Sequence, residues 1–296
     1  MRTFDTRVAA AMTAVSLWST NAVTARYVLA RTDVAWLLLL EAGSASVVLG
    51  TVALCCRVPV AWRRRPEAIG IAVVGLAGTM TLQYLAYALA PLVAANALTY
   101  VWPLAAAGWF AVRRRSRATA LRGGCASVGF AGVLLTMVSS QRAATGSHPM
   151  LGLGCAVASA ACMAGYTLGA DRAVPADGSA PAAVAGVLLP ATVTAVLIGG
   201  GWVIASGADP PPPDVWAVAG FMGAGQMAAG YGLWSHAMTG DGAVRLAGLG
   251  YATPLLSTVL LLAVGESAST PALAGVGLVL ASSIGLLLVG QHPTGQ

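Results

Sequence analysis

The chain has 296 residues, of which 57% are hydrophobic and 9% are charged, and its mean hydropathy is +0.78. A soluble domain carries about 25% charged residues, so this composition excludes a water-soluble globule and predicts a protein that crosses a membrane several times. The net charge of +6 would suit nucleic-acid binding, but the positions of the basic residues argue for a different role.

Ten apolar stretches approach or exceed the roughly 20 helical residues needed to cross a hydrocarbon core of about 30 Å. The first follows a basic head, as in a signal peptide, but its apolar run continues through Trp18 and Asn21 without a small-residue cleavage motif. We interpret it as a transmembrane helix, and the chain as an all-α membrane protein. Spans one to ten are predicted at residues 8–29, 33–56, 68–90, 92–112, 119–138, 151–170, 182–205, 214–238, 243–264 and 271–290.

The arginines predict the orientation of these spans, because the cytoplasmic loops of membrane proteins are enriched in basic residues. With the N-terminus in the cytoplasm, 13 of the 16 arginines lie at the inner ends of spans, and they include the runs "RRRP" and "RRRSR". Only Arg26, Arg31 and Arg142 lie at the outer ends. Both termini are therefore predicted to be cytoplasmic, and the basic runs are expected to contact lipid headgroups, with no nucleic acid as a partner.

A tyrosine followed three residues later by a proline occurs twice, as Tyr100 and Pro103 in span four and as Tyr251 and Pro254 in span nine. Spans one and six align more weakly, through Trp18 and Met163. The spans before the two motifs carry aromatic pairs at one common spacing, Tyr84 with Tyr87 and Tyr231 with Trp234. The chain therefore reads as two halves of five spans each.

An odd number of spans per half means that the second half runs upside down relative to the first. This is the inverted-repeat architecture of secondary transporters, whose substrate site lies near the bilayer midplane between the halves. The sequence predicts a first five-helix repeat at residues 1–145 and a second, inverted repeat at residues 146–296.

Ten spans in two inverted halves resemble the drug/metabolite transporter superfamily, and in particular its EamA-type members. The resemblance rests on "LWST" in span one, "YVWP" in span four and "GYATPLLST" in span nine, and it is closest to the YddG kind of aromatic amino acid exporter. It implies export of amino acids or related metabolites through a cavity lined by spans one, three, four, six, eight and nine. Met163 stands where that kind has a tryptophan, so a strict preference for aromatic substrates is not implied.

Aromatic side chains in the middle of spans are the candidate substrate contacts. Tyrosine and tryptophan usually lie at the membrane interface, and a mid-span hydroxyl or indole N–H needs a partner or a wet cavity. Ordinary helix packing is the alternative, but aromatic groups recur at matching places in both halves. The predicted cavity residues are Trp18, Asn21, Gln83, Tyr84, Tyr87, Tyr100, Trp102, Met163, Tyr166, Tyr231, Trp234 and Tyr251.

Pro103 and Pro254 are predicted to act as hinges or gates. Proline is common in membrane helices because neighbouring groups satisfy the carbonyls that it frees, so a single one would carry no functional meaning. Two prolines at equivalent positions indicate paired kinks.

Glu41 lies about 12 Å into span two, at about 1.5 Å per helical residue. A carboxylate at this depth is costly unless it is paired, protonated or hydrated. Arg26, near the outer end of span one, is the natural partner. A structural ion pair with Arg26 is one interpretation, and coupling of transport to protons is the other.

No enzyme site is predicted, since the sequence has no P-loop, no carboxylate pair and no His/Cys/Asp/Glu cluster with metal-ligand spacing. We expect a monomeric secondary transporter of the cell inner membrane that binds a small molecule and needs no cofactor or metal. A multidrug or nucleotide-sugar carrier of the same superfamily is an alternative. A membrane-embedded enzyme or receptor is the alternative from another class.

Overall fold

A computed structural model describes residues 2–56, 66–102, 105, 117–142, 147–173, 180–238 and 248–291, and every regular element among them is helical. The first half contains α1 (Arg2–Ser19), α2 (Asn21–Leu29), α3 (Val34–Cys55), α4 (Pro66–Ala72), α5 (Gly78–Leu89), α6 (Leu92–Thr99) and α7 (Arg117–Arg142). The second contains α8 (Pro149–Ala173), α9 (Ala180–Ser206), α10 (Pro213–Phe221), α11 (Gly230–Ala237), α12 (Ala252–Ala263) and α13 (Thr270–Gln291).

Local chemistry explains where several of these helices begin. Asp33 caps α3, because its side chain accepts a hydrogen bond from the Trp36 backbone N–H at 2.9 Å. Proline is the first residue of α4, α8 and α10, where its missing N–H costs nothing. By length and composition, four described helical segments are able to cross a bilayer: Val34–Cys55, Ile69–Leu89, Pro149–Gly169 and Val187–Ser206.

Three of the predicted spans differ in detail from the helices. Span one is interrupted at Thr20, between α1 and α2, where the Thr20 hydroxyl donates to the Leu17 carbonyl at 2.7 Å. In span four, α6 ends at Thr99. Span nine begins with a 3₁₀ turn at Gly248–Tyr251, and its α-helix starts only at Ala252.

Two helices contain a π-helical segment near their middle. Val73–Ala77 joins α4 to α5, and Met222–Ala229 joins α10 to α11. The two segments lie in predicted spans three and eight, the pair that the sequence repeat relates. Single π turns inside α-helices are rare and frequently occur at functional sites.

The helix pairs with the most extensive packing join the two halves of the chain. They are α3 with α9, α7 with α13, α5 with α8, and α1 with α11. The predicted repeat makes α1 equivalent to α8, α3 to α9, α5 to α11 and α7 to α13. Exchanging the equivalent helices converts the α5–α8 pair into the α1–α11 pair, and it leaves the α3–α9 and α7–α13 pairs unchanged. The bundle therefore brings spans one, three, six and eight around one centre.

Candidate substrate cavity

A cavity of about 490 Å³ lies among these helices. This volume is within the range of about 300–1,000 Å³ that is typical of small-molecule sites. Most of its surface is apolar, and aromatic rings contribute much of it. Ten of the twelve residues predicted from the sequence line it: Trp18, Asn21, Gln83, Tyr84, Tyr100, Trp102, Met163, Tyr166, Tyr231 and Trp234.

Trp18 holds α1 against the second half of the chain. Its indole N–H donates to the Gln226 carbonyl at 2.9 Å, a backbone group inside the π-helical segment. Its ring packs edge-on against Tyr231, with centroids 5.1 Å apart, and against Trp234 at 5.4 Å. Such aromatic pairs add about 0.5–1.5 kcal/mol beyond the area they bury. The result is an aromatic wall built by both halves.

Gln226 and Asn21 form a polar bridge across the cavity. Asn21 Nδ2 donates to Gln226 Oε1 at 3.0 Å and to the Tyr84 hydroxyl at 3.1 Å. Gln226 Nε2 in turn donates to Thr20 Oγ1 at 2.9 Å and to Thr24 Oγ1 at 3.2 Å. These contacts link spans one, three and eight, and they use both hydrogens of each amide.

The bridge continues into span four. Gln83 Nε2 donates to Asn21 Oδ1 at 3.3 Å and to the Tyr87 hydroxyl at 2.7 Å. The Tyr87 hydroxyl donates to Asn96 Oδ1 at 2.9 Å, and the Ser257 hydroxyl reaches the same oxygen at 3.3 Å. Tyr87 is therefore a buried neighbour of the cavity that supports its polar wall, not one of the residues that line it.

Glu41 faces the cavity, and the predicted ion pair with Arg26 is wrong. The Arg26 guanidinium instead contacts Glu266, with Nε and Oε1 2.5 Å apart. Glu41 is 2% exposed and lines the cavity, and its Oε2 has no hydrogen-bond partner. The Tyr84 phenol is its polar neighbour. Closeness in the chain favours Arg26 as the partner of Glu41, whereas the helix ends bring Arg26 to a loop of the other half.

Further contacts join the two halves at the end of the bundle where Arg26 lies. Arg31 Nε lies 3.5 Å from Asp214 Oδ2, and the Tyr27 hydroxyl donates to the same oxygen at 2.7 Å. The Trp36 indole donates to the Ala208 carbonyl at 3.2 Å. We call Arg26, Glu266, Arg31, Asp214 and Tyr27 the terminal cluster.

Each π-helical segment approaches the opposite half closely through a glycine. A β-carbon on Gly75 would lie 2.5 Å from Cβ of Tyr166, and one on Gly223 would overlap the Glu41 carbonyl and the Ser44 hydroxyl. Tyr166 and Glu41 both line the cavity. The two glycines therefore determine how far these side chains project into it.

Three further predicted residues are Pro103, Tyr251 and Pro254. Pro103 and the side chain of Tyr251 lie outside the described residues. Pro254 is buried, lines the cavity and lies in the first turn of α12, where a proline does not interrupt the helix.

Sequence reasoning missed two buried amides, Gln226 and Asn96. Both are single polar residues inside apolar runs, "GAGQMAAG" and "LVAANAL". Polar side chains inside membrane helices usually hydrogen-bond across helices, so this isolation was the available signal.

The second half of the chain matches a known family. Residues 150–288 match the EamA-like transporter family, a little under half of the chain. No significant match to a curated protein was found. One solved structure, described only as the crystal structure of a protein, is similar over 97% of this chain and 99% of that one, with 24% identity and a TM-score of 0.64. That likeness shows that the two chains share a fold over nearly their whole length.

Proposed function

We propose that the chain is a secondary transporter of the EamA-like type that exports amino acids or related small metabolites across the cell inner membrane. The observation that carries the proposal is the cavity of about 490 Å³, which aromatic residues from both halves line. The match of the second half of the chain to a family of transporters supports it. Its size suits a substrate with one ring and a short polar end.

The inverted repeat is part of this proposal. The helix pairing supports it, because exchanging the halves reproduces the same set of contacts. The π-helical segments support it as well, since each lies in the middle of one of the two related spans. The repeats are proposed at residues 1–145 and 146–296, with both termini in the cytoplasm.

This conformation is proposed to face the cytoplasm. The cavity extends to Ser235 and Met238 at the end of span eight, which the arginine distribution places on the cytoplasmic side. The terminal cluster links the halves at the other end. Alternating access would then require the terminal cluster to separate, with the start of α12 at Pro254, next to the 3₁₀ turn, as the proposed hinge.

Transport by purified protein tests the function. In proteoliposomes loaded with labelled tryptophan, tryptamine or alanine, we expect protein-dependent exchange of at least one compound, with and without a pH gradient. The compounds recovered should be chemically unchanged, because a carrier only moves its substrate. Recovery of altered products would indicate an enzyme, and the same leak rates as protein-free vesicles for all three would contradict the proposal.

The proposed topology predicts opposite accessibility for two introduced cysteines. In a variant whose five cysteines are replaced by serine, Asp209→Cys should react with an impermeant maleimide on intact cells. Arg64→Cys should react only after permeabilisation, because the arginine excess places that loop in the cytoplasm. Labelling of both positions from the same side would show that the span count is wrong.

A further inference from the structure

We infer that the cavity selects substrates with a net positive charge, protonated amines attached to an aromatic or apolar body, and that Glu41 binds the ammonium group. This inference rests on the proposed transport function and names the substrate class of the same cavity. It differs from the amino acid assignment, because an amino acid also brings a carboxylate that the cavity must accommodate.

The first observation is the state of the Glu41 carboxyl. It is 2% exposed, it lines the cavity, and Oε2 has no partner, although a buried carboxylate is stable only when it is paired, hydrogen-bonded or protonated. Arg26 and Arg31, the cations nearest along the chain, are occupied by Glu266 and Asp214. Glu41 Oε2 is therefore open to a partner that enters the cavity.

The second observation is the charge of the lining. Among the described lining residues, Glu41 is the only carboxylic acid, and none is lysine, arginine or histidine. The ionisable groups that face Glu41 are the phenols of Tyr84 and Tyr87 on α5 and of Tyr231 on α11. Nothing in this set supplies a positive charge for a substrate carboxylate, whereas an ammonium group finds both a carboxylate and hydroxyl acceptors.

The third observation is the aromatic surface. Indole and phenol rings attract cations through their negative faces, and this attraction reaches about 2 kcal/mol or more when water is excluded. The same rings would hold the apolar body of an amine. The rings that line the cavity are Trp18, Tyr84, Tyr100, Trp102, Tyr166, Tyr231 and Trp234.

Binding of an ammonium group by this carboxyl has a defined proton balance. When Glu41 is protonated in the empty cavity, arrival of R–NH3⁺ expels that proton to the solvent and leaves a carboxylate–ammonium pair. A primary amine stays protonated up to about pH 10. Affinity for the amine should therefore rise with pH until Glu41 is ionised in the empty cavity, and level off above that point.

Three indole compounds of different charge test the inference. Tryptamine is a cation, tryptophan a zwitterion and indole-3-propionate an anion, while the ring is the same. By calorimetry on purified protein near neutral pH, we expect tryptamine to bind at least about tenfold more tightly than tryptophan, and indole-3-propionate to bind most weakly.

Variants of Glu41 separate its charge from its packing. Glu41→Gln should lower the affinity for tryptamine on the order of 10- to 100-fold, the scale of one hydrogen bond to a charged group, and change that for tryptophan far less. Its tryptamine affinity should no longer depend on pH. Glu41→Asp should keep the preference for the cation. Glu67→Gln, an exposed carboxyl in the first turn of α4, is the matched control and should behave as the wild type.

Several outcomes would overturn the inference. The first is that the wild type binds tryptophan more tightly than tryptamine. The second is that Glu41→Gln lowers the affinities for tryptamine and tryptophan equally. The third is that the wild type does not bind tryptamine. The wild-type order and its pH dependence stand without any variant, so poor folding of Glu41→Gln would not remove the test. If tryptamine binds as described but is not moved in proteoliposomes, the cation site stands and the transport function fails. If amino acids are transported while tryptamine is neither bound nor transported, the transport function stands and the cation site fails.

Discussion

Gly223→Ala is expected to leave most of the protein misfolded. The added methyl group would overlap the Glu41 carbonyl oxygen and the Ser44 hydroxyl, and it would also press on the Ala45 backbone nitrogen. Two of these three atoms are main-chain atoms of α3, so the clash can be relieved only if two packed helices separate. Overpacking of this kind costs about 3 kcal/mol or more. Fluorescence-detected size exclusion after heating should show a lower folded yield and a lower melting temperature.

Gly220→Ala is the matched control for this prediction. Gly220 lies three residues earlier on the same continuous helix, and a β-carbon there meets nothing within 4 Å. Alanine has a helix propensity about 1 kcal/mol better than glycine, so this variant should fold as well as the wild type or better. Equal behaviour of the two variants would mean that α3 and the π-helical segment do not pack as closely as described.

Trp102→Ala is expected to lower the apparent affinity for bulky aromatic substrates about thirtyfold. Trp102 lines the cavity beside Tyr100, and truncation removes a large surface from a pocket with few polar contacts. An aromatic contact of this kind is commonly worth about 2 kcal/mol or more, which corresponds to this factor. The loss should be small for alanine-sized substrates, because the ring offers area and no specific hydrogen bond to them. The apparent affinities for bulky and for alanine-sized substrates can be measured by competition for exchange in proteoliposomes.

Trp202→Ala removes the same side chain from α9, where the ring is 39% exposed and does not line the cavity. It should leave both affinities unchanged. Equal loss for large and small substrates in Trp102→Ala would point to misfolding, and no loss in that variant would make Trp102 a packing residue.

The positions of the helices could be predicted because the apolar runs and their proline boundaries are local features of the chain. The interruption at Thr20 could not, since a threonine hydroxyl makes the same kind of bond inside a continuous helix, as Thr192 does to the Leu189 carbonyl. The π-helical segments could not be predicted from the sequence either. Their sequences, "VVGLA" and "MGAGQMAA", contain no marker that separates them from ordinary helix.

The aromatic part of the cavity was predicted from the proposed internal repeat, in which Tyr84 and Tyr231 have equivalent positions. Its polar part did not. Gln226 bonds to residues more than 200 positions away in the chain, and Arg26 pairs with Glu266 across a similar separation. Closeness in the chain, which favoured Arg26 as the partner of Glu41, is uninformative about contacts between helix ends from different halves.

The π-helical segments give two helices a spare residue. A π turn closes its hydrogen bond one residue later than an α turn, so it takes up one residue without rotating the helix that follows. Deleting one residue within Val73–Ala77 or Met222–Ala229 would let the turn revert to α-helix and keep the later side chains on their face. The same deletion a turn later would rotate Tyr84 or Trp234 by about 100° away from the cavity, at about 3.6 residues per turn. The chain should therefore tolerate the loss of one residue within either π-helical segment. Just beyond each segment, the same loss would turn the following side chains to another face of the helix.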